Sequence, residues 1–170
     1  MSTHATNEFV PYGTSVSSVA EMIEKCSPID CLARMLMGEA RGESRQGKIA
    51  CAWVVRNRQT INRSEFGGPD YKSIVTKGNG GQFNGITSTA ALKPLEVDAN
   101  AWEECLDIAS NFYRENNPIR KCLWFNTNSK YNEVTSANGE KYNFGNGAVT
   151  ITDHLTIGNH TFFTVEGYDF

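Results

Sequence analysis

Residues 27–43 read Ser27-Pro28-Ile29-Asp30-Cys31-Leu32-Ala33-Arg34-Met35-Leu36-Met37-Gly38-Glu39-Ala40-Arg41-Gly42-Glu43. Ser27 can cap a helix with its hydroxyl, Pro28 suits the first helical position because its missing N–H has no partner there, and Asp30 completes the reciprocal spacing. A helix is therefore expected from about Pro28 onward. Within it Leu32, Met35, Leu36 and Glu39 recur at helical intervals, which places a carboxylate on the apolar face. Gly42 supplies a stop. Ser44 then caps a second helix in which Ile49, Ala50, Trp53, Val54 and Asn57 share a side, and Gly47, Ala50 and Ala52 permit close approach. The two helices meet at a corner between Gly38 and Ser44, and Asn57 and Arg58 are read as support for that corner beneath Glu39.

Outward from this pair, Met1 to Thr14 is polar and rich in Ser and Thr, the texture of a poorly ordered arm. Ser18 and Glu21 have capping-box spacing ahead of Val19, Met22 and Ile23, which predicts a short helix. Residues 1–26 are thus an arm and short helix, and residues 27–170 a single domain. Between Asn62 and Pro94 turn formers cluster at Gly67-Gly68-Pro69 and Gly78-Asn79-Gly80-Gly81 with little periodicity, so a long loop is expected, of the kind that is functional or disordered. Asp98 caps a further helix whose stripe of Trp102, Cys105, Leu106, Ala109, Phe112 and Tyr113 is core. Beyond Lys121 the pattern shifts toward strand at Leu123 and Phe125, at Val149 and Ile151, and from Leu155 to Val165. Turn signals fall at Asn138-Gly139, Gly145-Asn146-Gly147 and Gly158-Asn159, the last in the residue order of a type II′ hairpin. The fold class expected is α+β, a helical lobe followed by a small antiparallel β segment.

Composition narrows the function. A chain of 170 residues can bury a full core, and a formal charge of −3 does not suit electrostatic capture of nucleic acid. Five cysteines form an odd set without a CxxC pair or a zinc-site spacing, so no disulfide framework, metal or cofactor is expected. Met1 to Tyr12 holds no basic and apolar leader, and no apolar run is long enough to span a bilayer. The expectation is a monomer made in the cytoplasm without a signal peptide and without membrane insertion.

Glu39 is the most informative side chain. A carboxyl on an apolar helix face resists ionisation, and the negative end of the helix dipole adds to the effect. A carboxylic acid still protonated near neutral pH is what a glycosidic leaving oxygen requires. The alternative is an ordinary salt bridge from Glu39 to Arg34 or Arg41.

The run Leu32-Ala33-Arg34-Met35-Leu36-Met37-Gly38-Glu39-Ala40-Arg41-Gly42-Glu43, continued by Gly47, Ala50 and Val54-Val55-Arg56-Asn57-Arg58, resembles the signature of the SleB/CwlJ-type cell-wall hydrolases. Gly81-Gln82-Phe83, Leu123-Trp124-Phe125-Asn126 and Ile157-Gly158-Asn159-His160-Thr161-Phe162-Phe163 resemble further family motifs in the same order, and Asn128 to Thr150 looks expanded relative to the family pattern. The resemblance implies a lysozyme-like fold and cleavage of peptidoglycan between N-acetylmuramic acid and N-acetylglucosamine, by hydrolysis or by lytic transglycosylation, with Glu39 as the acid. It also implies action on the wall after release, as in a phage endolysin, or after deposition in a spore.

Glu43 and His160 are secondary candidates: Glu43 for a second carboxylate or a structural ion pair, and His160 to orient Glu39 or a sugar hydroxyl. Gln82, Phe83, Trp124 and Phe125 are candidates for the sugar groove, since aromatic faces pack on pyranose rings and an amide bonds N-acetyl groups; for Phe83 and Phe125 core packing is the competing role. Two other functions fit parts of the chain. A cell-wall cysteine peptidase or amidase would use Cys31 at a helix N-terminus with His160. A non-catalytic glycan-binding module would share the aromatics and have no need of Glu39.

Overall fold

The computed structural model describes residues 8–135 and 139–170. Its helices are α1 (Val19–Lys25), α2 (Pro28–Ala40), α3 (Arg45–Ile61), α4 (Tyr71–Val75), α5 (Thr89–Leu92), α6 (Pro94–Val97), α7 (Ala99–Asn111) and α8 (Asn128–Val134). Strands β1 (Trp124–Thr127), β2 (Lys141–Asn143), β3 (Ala148–Ile157) and β4 (His160–Val165) form one antiparallel sheet in the order β1-β4-β3-β2. The class is α+β.

Helix starts follow their caps. Ser18, Ser27, Ser44 and Asp98 each accept a backbone N–H three residues on, at 3.1, 3.2, 3.2 and 3.0 Å. Packed against α3, α4, α5 and α7, α2 runs through the middle of the helical lobe. It is consequently buried on nearly every side and not along one stripe, with Cys31, Leu32, Met35, Leu36 and Met37 all in the core.

Arg34 is wholly buried, and its partners explain why that is tolerated. Its Nε donates to Asp30 at 2.8 Å, and its guanidinium donates to the carbonyls of Ala91, Leu92 and Thr14. Every arm of the fork is engaged, so the charge is not stranded. This knot also revises the reading of the N-terminus. Residues 1–7 lie outside the described residues, but the rest of the expected arm is fastened: Val10 N–H donates to the Lys25 carbonyl at 2.9 Å and Gly13 N–H to Asp30 at 3.2 Å.

Two other expectations are corrected. The stretch from Asn62 to Pro94 is not a structureless loop, for it contains α4, α5 and several 3₁₀ turns, capped by Asp70 and Ser88. Helices of one turn are too short to display a 3.6-residue period. Along α7 the stripe reaches Phe112, but Tyr113 is exposed because the chain tightens there into a 3₁₀ turn over Phe112–Arg114.

In the sheet, β4 is buried along its whole length. Phe162 faces the helical lobe, while Phe163 faces a second cluster with Tyr131 and Tyr142. Part of the stretch from Asn128 to Thr150 supplies that second layer, through α8, β2 and the start of β3. Gly145 and Gly147 turn the chain between β2 and β3 at φ of 108° and 122°. Gly158, at φ 59°, opens the two-residue turn that pairs Ile157 with His160, as the hairpin order predicts. Of the predicted turn at Asn138-Gly139, Asn138 lies outside the described residues.

Candidate active site

Glu39 stands in the last turn of α2, half-buried, where a backbone contact has been made possible by two glycines. A Cβ on Gly38 would lie 2.0 Å from the carbonyl oxygen of Gly85, and one on Gly85 would lie 2.6 Å from the Gly38 carbonyl. Any side chain at either position would push the 84–88 turn off the helix. With both absent, the Gly85 N–H donates to Glu39 Oε1 at 3.1 Å, and Ser88 Oγ locks the turn by donating to the Gly85 carbonyl at 2.6 Å.

No ion pair involves Glu39 among the described residues: Arg34 is taken by Asp30, and Arg41 is exposed. Burial raises the Glu39 pKa, and the Gly85 N–H only partly opposes it. The salt-bridge alternative for Glu39 is thereby set aside.

Two cavities adjoin this carboxyl. The larger has a volume of about 690 Å³ and the smaller about 460 Å³, and Glu39, Thr127 and His160 line both. Glu39 therefore stands between the two.

Gln82, Phe83, Trp124 and Phe125, distant from Glu39 in sequence, all reach the larger cavity. Their surroundings differ. The Gln82 carbonyl oxygen accepts from Arg58 at 3.0 Å, which fixes the amide. Phe83 is 3% exposed, packed on Phe125 with the Arg58 guanidinium 4.7 Å from its ring centre, so it forms the floor and offers no open stacking face. Phe125 faces the helical lobe against His160 and Phe162, whereas Trp124, paired with Phe163, faces the other side of the sheet. Both nonetheless line one cavity, and β1 is an edge strand of the sheet.

Glu43 is held elsewhere. It accepts from Asn159 N at 3.0 Å and Asn159 Nδ2 at 2.9 Å, tying the α2–α3 corner to the hairpin turn. Burial works to raise its pKa, but the Asn159 bonds and nearby His160 outweigh that, and the net shift is downward. His160 is buried, with Nδ1 3.7 Å from Glu43 and without a hydrogen-bond partner. Burial lowers its pKa against the pull of Glu43, which favours the neutral imidazole. It makes no hydrogen bond to Glu39 among the described residues.

Cys31 does not meet His160 in a cleft. It is wholly buried in the first turn of α2, eight residues and roughly 12 Å of helix before Glu39, while His160 lies at the Glu39 end. Its hydrogen bond with Cys26, together with burial, drives the thiol pKa far upward, the reverse of what a nucleophile needs.

The position of Arg58 corrects the reading of the Asn57-Arg58 pair. Asn57 lies 13 residues from Ser44, roughly 20 Å along α3, well away from the corner. Asn57 Nδ2 donates to the carbonyls of Arg120 and Cys122 at 3.0 and 2.8 Å, and Arg58 Nε donates to Leu123 at 2.8 Å. Together they clamp the approach to β1. Arg58 also lines the cavity between Phe66 and Phe83, and burial pulls its pKa down to about 9, leaving it a cation at neutral pH. Asn126, Lys130, Tyr142 and Phe144 line the same cavity and were not singled out from the sequence. Asn126 ends the quoted aromatic motif; the other three lie between Asn128 and Thr150, where no motif marked them.

These features define an α+β protein with a half-buried carboxyl, in no ion pair among the described residues, that lines two adjoining cavities. A family model described as cell wall hydrolase matches residues 42–163, and the chain belongs to that family. Glu39 stands three residues before the matched span. No curated protein and no solved structure matches the chain. Family membership makes the protein a hydrolase of the cell wall, and no helix among the described residues is long and apolar enough to cross a membrane.

Proposed function

We propose that this cell-wall hydrolase cuts the glycan strand of peptidoglycan between N-acetylmuramic acid and N-acetylglucosamine, with Glu39 as its general acid and base. The observation that carries the proposal is the setting of Glu39: a carboxyl with a raised pKa, in no ion pair among the described residues, between two adjoining cavities. A polymer lying across both would present an internal bond to the acid.

Among the described residues Glu39 is the only carboxylate lining the larger cavity, and Glu43 in the smaller one is committed to Asn159. Hydrolysis by a pair of carboxylates needs a second free group at a set distance. A lone carboxylate favours lytic transglycosylation. In that course Glu39 gives its proton to the leaving glycosidic oxygen as the bond to muramyl C1 breaks. The resulting carboxylate then takes the proton of the muramyl C6 hydroxyl as that oxygen bonds to C1. An anhydro end is left, no water is consumed, and Glu39 is protonated again.

Mass spectrometry of fragments released from purified walls tests this reading. Anhydro-muramyl ends are expected, and Glu39→Gln should release none. Cleavage at peptide or amide bonds, or full activity in Glu39→Gln, would overturn it. Cys31→Ala is expected to keep its activity, which separates the proposal from thiol chemistry, and a wall-binding module without catalysis would release no fragments at all.

A further inference from the structure

The stretch from Asn128 to Thr150 does more than cover the outer face of the sheet. It sends Lys130, Tyr142 and Phe144 into the larger cavity. Phe144 stands in the turn between β2 and β3 and is 43% exposed. Its ring is nonetheless held, with centroids 5.1 Å from Trp124 and 4.7 Å from Tyr142. Behind them Phe163 stacks on Trp124 at an interplanar angle of 19° and on Tyr142 at 29°, so the wall is backed by the sheet. Asn126 donates its amide to the Tyr142 hydroxyl, fixing a polar group at the foot of the same wall.

We infer that this stretch adds a sugar-stacking platform, Phe144 against Trp124, which holds a pyranose ring of the glycan strand in the part of the larger cavity away from the smaller one. Phe144 lines only the larger cavity, whereas Glu39 lines both, so the platform would engage a ring beyond the bond being cut. Planar aromatic groups with amides and a cation at their rim suit a ring that has C–H bonds on its faces and hydroxyl or N-acetyl groups at its edge. An apolar partner would take the polar part of the lining, which includes Asn126 and Lys130, out of water without new hydrogen bonds. The inference rests on the glycan-cleaving reading above, and the test keeps the two apart.

The Glu39→Gln protein, folded and inactive, serves as the binding form. Its affinity is measured for glycan strands stripped of stem peptides by amidase, both as long chains and as the disaccharide, and compared after adding Phe144→Leu or Phe144→Tyr. Leucine preserves apolar bulk without a planar face, so a purely structural role would tolerate it. The expected result is roughly 3- to 10-fold weaker binding of long chains by Phe144→Leu, with Phe144→Tyr close to the parent and disaccharide binding unchanged. Equal binding of long chains by the leucine variant overturns the platform and leaves the cleavage site standing. Failure of the parent to bind peptide-free strands, while the wild type digests walls at peptide or amide bonds, overturns both.

Discussion

Gly38 and Gly85 meet backbone to backbone, and their contact gives Glu39 its only hydrogen-bond donor among the described residues. A Cβ on Gly85 would also stand 3.0 Å from the Glu39 carboxyl carbon. Gly85→Ala is therefore expected to displace the 84–88 turn and to cost about 1–3 kcal/mol of stability, the usual range for overpacking. Gly38→Ala should do the same. Thermal unfolding measures the loss, and wall-lysis assays on the folded fraction should show activity falling further than stability alone accounts for.

Glu39→Gln separates catalysis from stability. Loss of a general acid typically costs ~10²- to 10⁴-fold in rate. The folded pKa lies above the ordinary value of 4.5, so the folded state holds a proton that the unfolded state releases first. The stability this gives is full below 4.5 and is lost as pH rises through the folded value. The variant lacks that loss. It should match or exceed the wild type in melting temperature at neutral pH, with the difference shrinking toward pH 4. A variant less stable than the wild type at neutral pH would contradict the desolvated carboxyl.

Much of this was legible in the chain. Caps at Ser18, Ser27, Ser44 and Asp98 act through bonds to backbone only three residues away, so sequence alone locates them. Convergence of Gln82 and Trp124 on Glu39 was readable only through motif resemblance, since nothing local requires it. The Arg34 knot draws on Thr14, Ala91 and Leu92, and the Arg58 clamp on Leu123 and Gln82. Such long-range bonds leave no periodic trace. Phe144 escaped for a similar reason, because one aromatic among glycines in a turn has no pattern to stand out from.

Glu43 is expected to behave as a tie. Its oxygens hold the hairpin turn through Asn159, and a Cβ on Gly158 would lie 2.7 Å from Oε1, so the fit is close. Glu43→Gln keeps an acceptor for the Asn159 N–H and should retain most activity. Glu43→Ala removes both bonds and should cost about 1–3 kcal/mol, with activity following the folded fraction. Activity in Glu43→Gln as low as in Glu39→Gln would instead make Glu43 a second catalytic carboxylate and return two-carboxylate hydrolysis to the front.

Arg58→Lys tests whether the cleft depends on a planar cation. The guanidinium donates in two directions at once, to the Leu123 carbonyl ahead of β1 and to Gln82, while lying 4.6 and 4.7 Å from the ring centres of Phe66 and Phe83. Lysine has neither the fork nor the flat face, and an ammonium buried between two rings would lack part of its hydration without full replacement. Breaking such a buried charged network costs on the order of 3–5 kcal/mol when a partner is removed outright, and less when a charge stays. A drop of about 2 kcal/mol in unfolding free energy is expected for Arg58→Lys, by denaturant titration. Because Gln82 would lose the bond that fixes its amide, KM for peptidoglycan should rise more than kcat falls. An unchanged KM in a folded Arg58→Lys protein would mean that the Gln82 amide does not contact the substrate.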